Sequence, residues 1–177
     1  MFQTVLDEES SHFEEKLNSD IAKLFKESGL TLSVAESVTG GLLGGRIVAT
    51  PGSSDYFLGG VICYHPMVKI QLLGVPAELI RDHGAVSEPV TSKMLEGIVR
   101  LTKSDVAVAT TGIAGPANAQ YPDTMTGTVF IGISMQKTQK VHSFKFEGDR
   151  ETIQDKTVQT ALVYLKNTLD LNQKGGH

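Results

Sequence analysis

Thr31-Leu-Ser-Val-Ala-Glu-Ser-Val-Thr-Gly-Gly-Leu-Leu-Gly-Gly-Arg-Ile-Val-Ala-Thr50 is the stretch whose reading decides the fold. Its first residues are apolar and partly β-branched. A hydroxyl-rich corner follows at Glu36, Ser37, Val38 and Thr39, then two glycines, and then a helical period that sets Leu42, Leu43, Ile47 and Val48 on roughly one face. The pattern is strand, tight loop, helix. Such a turn places the Ser37 hydroxyl beside free N–H groups at a helix N-terminus, where a developing anion is stabilised. That suits phosphate binding or acyl transfer. Ser37 and Thr39 are equally the residue types that cap helices in ordinary proteins, and spacing alone does not choose between the readings.

Upstream of this unit, Ser10 or Ser11 can cap a helix whose stripe is Phe13, Leu17, Ile21, Leu24 and Phe25, stopped by Gly29. This predicts an N-terminal helical extension over about residues 8–29. Downstream, Pro51-Gly-Ser-Ser54 is a turn and Phe57 to Tyr64 a buried strand. Pro66 opens a short helix through Lys69, Leu72 and Leu73, and a second short helix runs from Pro76 to Arg81. Ser87-Glu-Pro89 starts a helix buried along Val90, Met94, Ile98 and Leu101. Val106 to Ala109 reads as another buried strand, ending in the turn-rich Thr110-Thr-Gly-Ile-Ala-Gly-Pro116. Thr128 to Met135 and Val141 to Phe146 predict a hairpin, Asp149 caps the last helix, and its stripe is Ile153, Val158, Leu162, Leu165 and Leu169. Strands alternating with helices plus one hairpin predict a three-layer α/β/α domain with a mixed, mostly parallel sheet, single over residues 1–171, and a flexible tail over 172–177.

Composition narrows the function. The net charge is -4, with no basic run to compete for phosphates, so no nucleic acid partner is expected. No segment approaches the ~20 apolar residues of a membrane span, and the N-terminus lacks a signal-peptide pattern, so the expectation is a cytoplasmic protein without membrane contact. The lone cysteine, Cys63, sits in an apolar run and reads as a packing residue in a reducing compartment. The five histidines show no metal-ligand spacing, so neither a metal nor a cofactor is expected.

Chemistry is concentrated at predicted strand ends. Ser37 needs a base, and the candidates are Lys69 and His65, with Tyr64 placed to relay or orient the proton. Burial of the Lys69 amine would lower its pKa toward a useful value. The Gly112-Ile-Ala-Gly-Pro116 corner reads as a phosphate cradle, and Arg150 as a bidentate partner for the same anion. The ordinary alternatives are a solvated Lys69, a plain tight turn at Gly112 and Gly115, and a surface ion pair for Arg150.

Seven ordered segments add a resemblance: Ala35-Glu-Ser-Val-Thr-Gly-Gly41, Pro51-Gly-Ser-Ser54, Leu73-Gly-Val-Pro76, His83-Gly-Ala-Val-Ser-Glu-Pro89, Thr111-Gly-Ile-Ala-Gly-Pro116, Gly127-Thr-Val129 and Gly148-Asp-Arg150. In this order, over about Leu32 to Leu169, the sequence resembles the C-terminal domain family of the competence/damage-inducible protein CinA, which includes the nicotinamide mononucleotide amidase PncC. The resemblance implies a metal-independent, commonly homodimeric hydrolase that deamidates nicotinamide mononucleotide to nicotinate mononucleotide and ammonia. It places the catalytic serine at Ser37, the lysine base at Lys69 and the tyrosine at Tyr64. Backbone N–H groups of Thr39, Gly40 and Gly41 would then form the oxyanion hole, and Thr111, Gly112, Ala114 and Arg150 would hold the nucleotide phosphate. The sequence departs from the family pattern at Val38, usually cysteine, and at His65-Pro66, usually Ser-Asn. It departs again at Ala117-Asn-Ala119, usually glycines, and at Thr124-Met-Thr126, usually Lys-Pro-Val. These loop departures leave two other expectations in play: a non-catalytic nucleotide-binding or regulatory paralogue, and a hydrolase for another phosphorylated amide.

Overall fold

The computed structural model describes residues 2–117, 121–136 and 138–175. Its centre is β1 (Leu32–Glu36), buried at every position, as a strand flanked on both sides and covered on both faces must be. β2 (Phe57–Ile62) and β3 (Val106–Gly112) pair with it in parallel. β4 (Thr128–Met135) and β5 (Thr138–Lys145) add antiparallel, giving the order β2-β1-β3-β4-β5. The mixed sheet and the three-layer α/β/α class are as the sequence predicts, with two parallel and two antiparallel pairings.

Alternation along the strands sorts the two cores. Val34, Val108 and Ile131 face a layer made by α1 (Phe2–Ser28), α2 (Leu42–Val48) and α6 (Arg150–Gly175), packed through Leu24, Phe25, Leu43, Ile47, Leu162 and Leu165. Ala35, Ala107 and Ala109 face the other layer, made by α3 (Pro66–Gln71), α4 (Ala77–His83) and α5 (Glu88–Thr102), with Val90, Met94, Leu95 and Ile98 of α5 against them. The small alanines let α5 lie close to the sheet.

Several boundaries differ from expectation. α1 begins at Phe2, so Ser10 and Ser11 lie inside the helix and not at its start. α6 continues to Gly175, where a flexible tail was expected from 172; 176 and 177 lie outside the described residues. β3 continues through Thr110, Thr111 and Gly112, because antiparallel pairing with β4 reaches Gly112 and overrides the turn signal of the local composition. Leu43 and Ile47 are buried but Leu42 and Val48 are exposed, which narrows the apolar face of α2. Among the described residues no helix is long and apolar enough to cross a membrane.

Candidate active site

Ser37 is the first residue past β1, and the turn it opens is not capped as its sequence suggests. The helix cap is Gly41, at φ 104°, and no side chain of Ser37 or Thr39 serves α2. The N-terminal donors of α2 instead go to the buried carboxylate of Glu36. Its Oε2 accepts from Gly41 N at 2.9 Å, Leu43 N at 3.1 Å and Thr39 Oγ1 at 2.7 Å, and its Oε1 from Gly44 N at 2.8 Å. The positive end of the helix is thus answered from within. The Glu36 carboxylate is a structural keystone that reads, in sequence, as an ordinary strand-end acid. Glu36→Gln keeps the shape but turns an NH2 toward at least one N–H donor. It should destabilise the protein by about 1–3 kcal/mol in urea unfolding; a change below about 0.5 kcal/mol, the range of a surface substitution, would remove the keystone role.

The same bonds correct the expected oxyanion hole. Gly41 N is spent on Glu36, Gly40 N donates to Ser37 O at 3.2 Å, and Thr39 is fully buried away from the cavity, its hydroxyl tied to Glu36 and Thr110. None of the three borders the cavity. Val38 and Ala114 do line it, and among the described residues the N–H of neither has an acceptor.

Lys69 comes from α3, whose start is fixed by Pro66 and by His65 Nδ1, which accepts from Met67 N. That commitment removes His65 as the base for Ser37. The lysine is 1% exposed. Its Nζ lies 2.8 Å from Ser37 Oγ and donates to Cys63 O at 2.6 Å. No carboxylate among the described residues forms an ion pair with it. Burial therefore pushes its pKa below the ordinary lysine value, offset in part by the neighbouring Cys63 thiol, whose own pKa burial raises. A neutral amine here has a lone pair for the serine proton while one of its hydrogens stays on the Cys63 carbonyl.

These two residues open into a cavity of about 250 Å³ at the C-terminal end of the parallel strands. Tyr64, Thr111, Gly112, Ala114 and Arg150, all expected from sequence, line it. Thr111 Oγ1 donates to Ala85 O at 3.1 Å. Arg150, at the first position of α6, donates to Gly115 O and lies 3.5 Å from the Tyr64 hydroxyl. Tyr64 is 60% exposed at the mouth, with no bond to Ser37 or Lys69, so the expected proton relay through it has no path here. Arg150 is the lining group that stays charged, and no carboxylate is among the described lining residues, which makes the cavity suited to an anion. Pro116 of the expected cradle also lines the cavity, whereas sequence reasoning missed Val38 N, the Ala85-Val86 wall and Tyr121; the 118–120 part of the altered loop lies outside the described residues.

A model of the CinA C-terminal domain matches residues 14–169. The chain belongs to the CinA C-terminal domain family. The family match starts inside α1, upstream of the Leu32 at which the sequence resemblance begins. Curated relatives include a CinA-like protein of Geobacter metallireducens, 44% identical over 88% of this chain and 37% of that protein. Another is a CinA-like protein of Thermotoga maritima, 38% identical over 96% of this chain and 42% of that protein. The chain therefore spans about two fifths of the length of these relatives. Among solved structures, the competence damage-inducible protein A (ComA) of Klebsiella pneumoniae superposes with TM-score 0.84 at 31% identity, covering 89% of this chain and 97% of that one. The competence/damage inducible protein CihA of Agrobacterium tumefaciens gives TM-score 0.81 at 34% identity, covering 89% and 95%.

Proposed function

We propose that this family domain is a serine amidohydrolase that deamidates nicotinamide mononucleotide. The observation that carries the reading is the buried Lys69 amine 2.8 Å from Ser37 Oγ, inside a cavity that also presents the charge of Arg150. Lys69 takes the hydroxyl proton as Ser37 Oγ attacks the carboxamide carbon. The oxyanion that forms is met by the N–H of Val38, with that of Ala114 on the facing wall. The C–N bond then breaks, and the Lys69 ammonium returns its proton to the departing ammonia. Water, deprotonated by the same amine, hydrolyses the ester and releases nicotinate mononucleotide. Arg150 and the Thr111 to Gly115 wall hold the phosphate, and Tyr64 orients the substrate at the mouth.

Purified protein incubated with nicotinamide mononucleotide should release ammonia and nicotinate mononucleotide in equal amounts. Absence of release above a Ser37→Ala control would sink the reading. Saturable thermal stabilisation by the nucleotide without turnover would favour the binding paralogue in its place.

A further inference from the structure

The carbonyls of Ser37, Val38 and Thr39, in the turn that presents the serine, each have a donor, and one donor comes from far away. Ser37 O accepts from Gly40 N, and Thr39 O from Leu42 N, both inside the turn. Val38 O has no local partner; it accepts from Gln154 Nε2 at 2.8 Å, across 116 residues of sequence. Val38 also lines the cavity, its N–H has no acceptor among the described residues, and its side chain is buried. A carbonyl in that position that loses its donor turns toward solvent, and the whole residue turns with it.

Gln154 lies one turn beyond Arg150 on α6, so the two side chains share a helix face. One face of α6 therefore holds the Gly115 carbonyl on one wall of the cavity and the nucleophile turn on the other.

We infer that Gln154 is a positioning residue, which fixes Val38 and through it the reactive geometry of Ser37. This rests on the reading of Ser37 as a nucleophile and goes beyond it in assigning a function to a residue that touches no substrate. A 1 Å displacement of a reacting group costs on the order of a hundredfold in rate. Loss of one of several restraints on the turn should cost about tenfold on the same scale.

The test uses a small alkyl fluorophosphonate, which needs no knowledge of the natural substrate. Ser37 Oγ bonds to phosphorus, fluoride leaves, and Lys69 takes the hydroxyl proton. The adduct is followed by intact mass. Wild-type protein should be labelled at Ser37 and Ser37→Ala should not. Gln154→Leu, which keeps volume and removes the donor, should lower the saturating labelling rate about tenfold while leaving the reagent concentration for half-maximal rate within about twofold. Gln154→Asn, which keeps the amide but shortens its reach, should fall with it. Gln154→Lys, which restores a long donor, should recover most of the rate. A Gln154→Leu protein labelled at the wild-type rate overturns the inference alone, and so does a slow Gln154→Lys protein that is as stably folded as wild type. Wild-type protein that stays unlabelled overturns the nucleophile reading and this inference together. Should Gln154→Leu fail to fold, the Asn and Lys pair carries the same comparison.

Discussion

Lys69→Met is expected to lower the rate of ammonia release by about 10³–10⁴-fold with little change in KM, because it removes the only group among the described residues placed to accept the serine proton and leaves the cavity walls intact. In the wild type, activity should rise with pH as the lysine loses its proton, along a limb centred below the ordinary value of 10.5. Stability carries the same signature. Burial lowers the lysine pKa in the folded state, so between the folded and unfolded values the unfolded chain binds more protons and stability rises with pH. The cost of burying this amine is complete below the folded value and gone above 10.5. Methionine has no such term. Urea unfolding at a series of pH values should therefore show the variant gaining on the wild type as the pH falls, whatever fixed cost comes from leaving the Cys63 carbonyl unpaired. A pH-independent difference would show that Lys69 is not perturbed by folding, and an activity loss below about tenfold would take the base role from it.

Gly97→Ala should be strongly damaging for so small a change. In an isolated helix the change would gain about 1 kcal/mol from propensity. Here a Cβ on Gly97 would stand 2.2 Å from Leu73 O and 2.7 Å from Leu73 Cβ, both on the buried Leu73. Overpacking of that kind costs about 1–3 kcal/mol and sometimes more, so a net loss of about 2 kcal/mol is expected in urea unfolding. The turn being pushed is the one that returns onto α3, where Val75 N donates to Lys69 O at 3.1 Å. The displacement therefore reaches the amine, and the folded variant should also lose rate. A Gly97→Ala protein as stable and as active as wild type would mean that α5 and the Leu73 turn are free to separate.

Local pattern made the strand–loop–helix unit, the hairpin and the stripes of α5 and α6 legible, because each buries one face at a fixed period. It also brought Ser37, Lys69, Thr111 and Arg150 to one set of strand ends. What it missed was the use of Glu36. An acid followed by glycines at 41 and 44 has the composition of a surface turn, and only the packed structure turns its carboxylate onto the bare N–H groups of α2. A Cβ at Gly44 would come within 3.2 Å of Glu36 Oε1, which is why that position carries none. Thr39, Gly40 and Gly41 were assigned to the oxyanion for the same reason: sequence shows donors but not which acceptor reaches them first. Gln154 had no local signal at all, since its partner is 116 residues away.

That separation bears on how the molecule is made. A ribosome adding about 5–20 residues per second needs roughly 6–23 s to travel from Ser37 to Gln154. Throughout that interval the emerging chain already contains the serine and, soon after, its lysine, but not the arginine or the glutamine of the last helix. On the proposed reading the serine is made early and its geometry is locked late, so a partly synthesised chain exposes surrounding amides and esters only to an unaligned hydroxyl.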